Sequence, residues 1–312
     1  MDKYTLSSSP HVRSADTTAR IMRDVLIALL PATVVGIYLF GLSALWVVLV
    51  SVASAVVSEA LLQKLMRKRV TVSDGSAAVT GLLLALNLPP SVPLWLPVIG
   101  AVFGIAIVKQ CFGGLGHNFL NPALAARAFL VVSWPTAMTT WTMPADAVSA
   151  ATPLTAISVA GAGTPSPHLD LFLGNIGGCI GETSAIALII GGLYLIARRV
   201  IDPRIPVVFV ATVAVFTWIA GPEGLFTGDA LYHILAGGLM LGAFFMATDY
   251  ATSPMSGSGK VVFAFGCGVL TSVIRLWGGY PEGVSYSILL MNLVVPLIDK
   301  AFQPKKFGGV RA

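Results

Sequence analysis

Long apolar runs alternate along the chain with short polar or Gly/Pro-marked breaks. A helix that crosses a bilayer needs about 20 mostly apolar residues. The pattern predicts ten such spans, at 24–41, 43–63, 74–89, 93–111, 121–135, 174–197, 205–220, 229–247, 260–277 and 284–300. Some joins are tight, as at Gly41-Leu42 and Pro89-Pro90-Ser91. The expected fold is an all-α integral membrane protein of about ten transmembrane helices, a single polytopic domain over 1–312. A polar segment, 1–23, precedes the first span, and a tail, 301–312, follows the last. Ten spans divide into five plus five. An odd number per half sets the halves in opposite orientations, the inverted-repeat plan of many transporters. The internal echo of such a repeat is faint: a Gly-rich span followed by a polar hairpin, Gly113–Ala123 against Met246–Lys260.

Composition strengthens the membrane reading. The 312 residues are 56% hydrophobic and only 11% charged, with mean hydropathy +0.85, whereas a soluble domain carries about 25% charged residues. Lipid is therefore the surrounding solvent. Met1–Asp24 is polar, with Lys3, Arg13, Arg20 and Arg23, and no cleavage site follows the run from Val25, so this start does not read as a signal peptide. The placement of the cations fixes the expected topology. With the N-terminus cytoplasmic, the cytoplasmic segments and span ends hold 18 of the 19 Lys and Arg. They are Lys3, Arg13, Arg20 and Arg23; Lys64, Arg67, Lys68 and Arg69; Lys109 and Arg127; Arg198, Arg199 and Arg204; Lys260; and Lys300, Lys305, Lys306 and Arg311. Only Arg275 falls outside. Both termini are then cytoplasmic, and residues 136–173 face the periplasm of a bacterial inner membrane. The net charge of +5 comes from these flanks and does not point to nucleic acid. Cys111, Cys179 and Cys267 stand singly in or beside apolar runs, with no CxxC, and the four histidines are scattered. No metal site is expected.

The periplasmic segment carries the most informative stretch, Asp146-Ala-Val-Ser149-Ala-Ala151-Thr152-Pro-Leu-Thr155. Taken bare, it is a capping loop in which Ser149 or Thr152 satisfies free backbone N–H groups. Its D-x-x-S-x-A-T pattern resembles the flavinylation motif at which a transferase joins FMN phosphate to a threonine hydroxyl. A covalent tether would keep a flavin from diffusing away from an exposed membrane edge. Pro135, Pro144, Pro153, Pro165 and Pro167 prevent one long helix there. Other polar groups lie at membrane depth, where they are costly and mark function by default. Asp74 opens the third span, either as a helix cap or on an ion path. Glu182, Asp249 and Glu282 are further ion-path candidates. Asn118 and Asn121 follow a Gly-rich turn; their amides can hydrogen-bond a flavin ring, or Asn121 can cap a helix opening at Pro122. Arg275 is a candidate phosphate contact or the ion-pair partner of Glu282. Asp299 reads as a solvated helix end.

Together these segments resemble the RnfD family, a membrane component of the Rnf complex, the ion-translocating ferredoxin:NAD⁺ oxidoreductase. They are also similar to the related NqrB component of the Na⁺-translocating NADH:quinone reductase. The matching blocks run 74–90, 109–129, 149–155, 245–254 and 274–299. The resemblance implies FMN on Thr152 through a phosphoester, with Asp146, Ser149 and Ala151 as the context read by the flavin transferase. It also implies a phosphoprotein-type linkage in a membrane flavoprotein, and the related NqrB component holds a non-covalent riboflavin, which makes a second flavin plausible here. The implied partners are the other subunits of an Rnf-type complex, including a periplasmic FMN-bearing subunit and membrane subunits. The implied function is electron transfer coupled to Na⁺ or H⁺ translocation, with no acid–base catalyst and no complete activity alone. Ala147 and Ala150 depart from the family pattern, which usually has glycine at both places; Ala150 adds a Cβ where the transferase grips. Thr155 is the nearby rival attachment point. Two alternatives stand beside this reading. One is a small polar solute channel or permease of urea-transporter-like architecture, which needs no flavin. The other is a docking subunit without its own cofactor.

Overall fold

The computed structural model describes residues 16–143, 152–158, 166–221, 224–278 and 282–303. Asp146, Ser149 and Ala151 lie outside these residues, while Thr152 is within them.

The chain is helical almost throughout. Helix α1 (Thr18–Phe40) starts where the Thr17 hydroxyl accepts from Arg20 N at 3.3 Å. The chain turns at Gly41 into α2 (Leu42–Leu65). A 3₁₀ turn (Val72–Asp74) leads into α3 (Ser76–Leu86). Helix α4 (Trp95–Phe103) continues as a π-helical stretch, Gly104–Gln110. Helix α5 (Pro122–Ser133) has Asn121 as its cap and Pro122 at its first position, and α6 (Pro135–Thr139) follows it. Short helices α7 (Pro153–Ser158) and α8 (His168–Leu173) precede α9 (Ala185–Ala197) and α10 (Arg204–Ile219). A minimal antiparallel pair joins Ala220–Gly221 to Gly224–Leu225. Then come α11 (Ala230–Leu235) and α12 (Leu239–Leu241), which runs into a second π-helical stretch, Gly242–Met246. Helices α13 (Gly257–Trp277) and α14 (Val284–Ala301) close the chain.

Among the described residues four helices are long and apolar enough to cross a membrane: α1, α2, α13 and α14. Shorter apolar helices at Ser76–Leu86, Trp95–Gln110, Pro122–Ser133, Ala185–Ala197 and Arg204–Ile219 pack among them. Helix α2 packs on α3 and α4, α1 on α9, α10 on α11 and α13, and α13 on α14. The first five helices and the group from α9 onward meet through α1 on α9 and α5 on α14. The α1–α9 contact needs Gly191, because a Cβ there would run into the Ala28 carbonyl. Tyr38, Leu61, Leu65, Val207 and Leu297 stay exposed on outer faces, as expected of helices that meet lipid.

Three predicted spans are not continuous helices. The third is helical only over Ser76–Leu86. The sixth is helical only from Ala185; residues 176–184 are irregular yet buried. Their backbone is satisfied by protein: Ile180 N and Gly181 N donate to the carbonyls of Leu88 (3.0 Å) and Leu86 (2.8 Å). The eighth breaks at Ala236–Gly238 between α11 and α12. Non-helical backbone at membrane depth is tolerated where protein encloses it, and these three breaks frame the polar interior. The runs look continuous by average hydropathy, yet Asn87, Pro89 and Pro90 end the third, three glycines and Glu182 interrupt the sixth, and Gly237-Gly238 divides the eighth.

Candidate functional site

The interior holds two polar regions stacked along α3 and α5. Ser76 and Asn121 line the first, Asn87 and Arg127 belong to the second, and Asn121 and Arg127 are separated by about 9 Å of helix.

The first region is a partly open cavity with about 80 Å³ of accessible space. Apolar side chains from α1, α3 and α9 form part of its wall, with Val200, Ile201 and Phe245 beside them. Ser76, Thr80, Lys109, Asn118, Asn121, Thr248 and Asp249 supply its polar groups. Asn121 Oδ1 accepts from Ala123 N (3.0 Å) and Leu124 N (3.3 Å), and its Nδ2 donates to Met246 O at 3.3 Å. It is therefore both the cap of α5 and a tie between the two hairpins whose sequences echo each other. Each hairpin leaves a π-helical stretch. Such stretches are rare and often mark functional sites. Asn292, in the amide orientation that satisfies its neighbours, adds a second tie, donating to Thr252 O (3.1 Å) and accepting from Asn121 N (3.2 Å). Asn118 donates to Leu120 O at 3.0 Å. Asp249 accepts from Ala251 N and Thr252 Oγ1; burial nevertheless pushes its carboxyl above the usual range.

A buried charge pair backs this cavity. Lys109, 2% exposed, bonds Glu59 Oε2 at 3.1 Å and Ser76 Oγ at 2.7 Å. Gln110 and Gln63 complete the shell of Glu59. Asp74 Oδ1 accepts from Ser76 N (2.8 Å) and Ser76 Oγ (2.7 Å), so Asp74 is positioned as a cap of α3.

The second region centres on Arg127, which is 5% exposed. It donates to Asn87 Oδ1 (3.3 Å), to Ser285 Oγ (2.7 Å) and to Glu282. Its NH1 also lies 3.3 Å from Glu182 Oε1. One guanidinium thus serves two carboxylates. Cys179 Sγ, Glu182 and Glu282 lie close enough together to hold a metal ion, but Arg127 NH2 stands 3.7 Å from the Cys179 sulfur. A guanidinium already fills the position a cation would take.

Thr152 borders this cluster. It is 5% exposed and shares a narrow cavity of about 10 Å³ with Glu182, Gly237 and Glu282. Its Oγ1 accepts from Thr155 N at 3.2 Å and is hydrogen-bonded to the Thr155 hydroxyl. Tyr232 OH holds the next residue by donating to Pro153 O at 3.1 Å. The break at Gly237–Gly238 brings the pieces together: a Cβ on Gly237 would sit 2.6 Å from Leu154 Cδ1 and 3.3 Å from Arg275 NH2, and one on Gly238 would sit 2.6 Å from Glu182 Oε1. Arg275 donates to the carbonyls of His233 and Ala236, the free carbonyls that end α11. Among the described buried side chains, Glu182 Oε1, Ser184 Oγ, His233 Nδ1 and Arg275 Nε have no hydrogen-bond partner.

Several expectations are corrected. Arg275 does not pair with Glu282; Glu282 pairs with Arg127, and Arg275 satisfies a broken helix end. Arg127 and Lys109 are not cytoplasmic flanking charges but interior ones. Asp299 is not merely solvated, since it accepts from Met255 N at 3.0 Å. Cys111 is exposed, while Cys179 and Cys267 are buried free thiols. The structure brings Thr152, Glu182, Arg275 and Glu282 into one region, and Asn118, Asn121 and Asp249 into the other. The sequence reading missed Arg127, Asn87, Glu59 and Lys109 as interior groups. The signal was available: Glu59 and Arg127 each stand inside an apolar run, where an ionisable residue is a functional candidate by default.

An all-α bundle of broken helices around buried charges is the architecture of a membrane transporter or translocase component. The family model of the NQR2, RnfD, RnfE family matches residues 5–308, and the chain belongs to that family. Three similar relatives are named as the D component of ferredoxin:NAD⁺ or ion-translocating oxidoreductase complexes. It is 54% identical over 308 residues to that component of the Na⁺-translocating ferredoxin:NAD⁺ oxidoreductase complex of Acetobacterium woodii, covering 97% of this chain and 95% of that one. It is 51% identical over 321 residues to that of the proton-translocating ferredoxin:NAD⁺ oxidoreductase complex of Clostridium ljungdahlii, covering 99% and 97%. Against that of the ion-translocating oxidoreductase complex of Stutzerimonas stutzeri the identity is 42% over 324 residues, covering 93% and 92%.

Proposed function

We propose that this protein is the RnfD-type membrane flavoprotein of an Rnf-type ferredoxin:NAD⁺ oxidoreductase. In this role it carries electrons through FMN on Thr152 and couples their transfer to Na⁺ or H⁺ translocation. It sits in the bacterial inner membrane as a ten-span protein with both termini cytoplasmic and the Thr152 segment periplasmic. Its partners are a periplasmic FMN-bearing subunit, the other membrane subunits and, during maturation, a flavin transferase. The observation that carries the reading is the D-x-x-S-x-A-T stretch ending on a threonine that borders the interior Arg–Glu cluster.

The residues fit the group at its phosphate end. Thr152 supplies the hydroxyl. Arg275, with a buried and unpartnered Nε, lies against the adjoining Gly237 turn and supplies the cation. The narrow cavity at Thr152 is lined, among the described residues, by the carboxylates of Glu182 and Glu282 and by no cation, so the phosphate charge is left to Arg275 on the neighbouring turn. We assign the larger cavity, bordered by Asn118 and Asn121, to a second, non-covalent riboflavin. When bound, the flavins supply the redox chemistry; the protein sets position and potential. Glu182 and Glu282, held by Arg127, are the ion-path carboxylates nearest Thr152, and Asp249 and Asp74 are those nearest the larger cavity. The relatives' names favour this reading over a solute channel.

The test is covalent flavin fluorescence of the denatured band after co-expression with the transferase. Wild type and Thr155→Ala fluoresce and Thr152→Ala is dark. A dark wild-type band, with transferase activity confirmed on a control substrate, overturns the assignment.

A further inference from the structure

Several cations near helix ends already have a carboxylate. Arg20 pairs with Asp16, Arg198 with Asp24, and Arg204 and Lys260 with Asp202. The turn after α2 is different. Lys64, Leu65, Met66, Arg67, Lys68, Arg69 and Val70 follow one another and all are exposed. Among the described residues, none of these four cations has an ion pair. The turn is nevertheless well built. Lys68 N donates to Gln63 O at 2.8 Å and Arg67 N to Lys64 O at 3.1 Å, the pattern in which a left-handed residue ends a helix. The buried Gln63 closes the base of the turn: its Oε1 accepts from Thr71 N at 2.8 Å and its Nε2 donates to Thr71 Oγ1 at 2.9 Å. Arg67 takes the left-handed position, with φ 55°, where glycine would be unstrained. Glycine there would ease the backbone but remove a cation.

The placement of the turn selects the chemistry of its partner. Helix α2 is long and apolar enough to cross a membrane. Its 24 residues make about 36 Å of helix, against a hydrocarbon core of about 30 Å, so its last turn reaches the headgroups. Leu65, 80% exposed, and Val70 stand among the cations. A ligand that meets both kinds of side chain carries an anionic head beside hydrocarbon. An acidic soluble protein would satisfy the charges and leave Leu65 in water. The excess of cations on one side of a membrane requires neither that they be contiguous nor that exposed apolar residues lie between them. We propose that the turn 64–70 binds an anionic phospholipid, with Lys64, Arg67, Lys68 and Arg69 around the phosphate and Leu65 and Val70 along the acyl chains. Attraction to anionic lipid is worth about fivefold in affinity per cation. The inference needs α2 to span the bilayer and is independent of the flavin reading.

The experiment uses the full chain, purified and delipidated in a neutral detergent. Phosphatidylglycerol or phosphatidylcholine with the same acyl chains is titrated in and the bound lipid is counted by native mass spectrometry. Wild type and Arg67→Lys bind the first phosphatidylglycerol at least about tenfold more tightly than phosphatidylcholine. Arg67→Gly weakens phosphatidylglycerol about fivefold without lowering the thermal midpoint, which separates a binding role from a structural one. The quadruple variant Lys64→Gln, Arg67→Gln, Lys68→Gln, Arg69→Gln loses the preference. Glycerol phosphate in excess leaves the lipid bound; displacement of the lipid by it would make a free phosphate ester the ligand and overturn the lipid assignment. Wild type with no preference, or a quadruple variant that keeps one, overturns the proposal. A quadruple variant that binds lipid as wild type does but no longer assembles with other subunits overturns it in favour of an acidic protein partner. Should the quadruple variant not fold, Arg67→Gly and the pair Lys68→Gln, Arg69→Gln decide, because all three positions lie beyond the end of α2.

Discussion

Replacing Arg127 by methionine removes the cation that holds the interior together. The guanidinium touches Glu282, Glu182, Asn87 and Ser285, all from other elements. Its loss strands two carboxylates, one of them 3% exposed. Breaking a buried pair from one side costs about 3–5 kcal/mol, because the remaining charge keeps its desolvation penalty. At about 2 °C per kcal/mol, the low end for chains of this size, the midpoint falls by roughly 6–10 °C. The assay is thermal unfolding in detergent, read by a thiol-reactive fluorogenic dye. Cys179 and Cys267 are buried and react only on opening, while the exposed Cys111 is replaced by serine in every variant. The triple variant Arg127→Met, Glu182→Gln, Glu282→Gln recovers more than half of the loss, since neutral amides leave no stranded charge. A single variant within about 2 °C of wild type, or a triple variant no more stable than the single one, would refute the argument that charge pairing, and not packing alone, holds this region.

Further outcomes follow from other contacts. Gly191→Ala drives a Cβ into the Ala28 carbonyl and costs about 1–3 kcal/mol; a midpoint unchanged from wild type would show that α1 and α9 can separate freely. Tyr232→Phe removes the hydrogen bond to Pro153 O and costs about 1 kcal/mol, with faster amide exchange over 153–158 as the local readout. Asp202 sits below the usual carboxylate range: partial burial works upward, but bonds from Arg204 N and Lys260 outweigh it. Its stabilising share, under about 1 kcal/mol for so exposed a group, is present above the unfolded pKa of about 3.9 and is lost as pH falls through the lower folded value. The midpoint difference between wild type and Asp202→Asn should therefore close below about pH 4, and a difference that widens on acidification would reverse the assigned sign.

Much of the fold could be read from the chain. Apolar runs near bilayer length gave α2, α13 and α14 to within three residues of their ends and α1 all but its first six residues, because a continuous helix is what satisfies backbone groups in lipid. Asn121 before Pro122 gave the start of α5, because that pair suits a cap and a first helical residue. The breaks within the third, sixth and eighth spans were not legible in average hydropathy. Residues 176–184, with three glycines beside Glu182, Thr183 and Ser184, leave the helix where the carbonyls of Leu88 and Leu86, about 90 positions earlier, accept the N–H groups of Ile180 and Gly181.

The sequence by itself determined the class of protein, its family and the threonine that stands in the flavinylation-like motif. These follow from composition, from run length and from blocks of adjacent residues, all of which are local. Only the tertiary structure decided the partners of the charges. Arg127 looked like a flank and Arg275 like a partner for Glu282. In the folded chain Arg127 serves Glu182 and Glu282, and Arg275 closes the end of α11. Lys109 likewise became an interior partner of Glu59 and Ser76. A buried charge takes whichever counter-group packing brings within about 4 Å, and packing joins residues 50 to 155 positions apart that no local pattern relates.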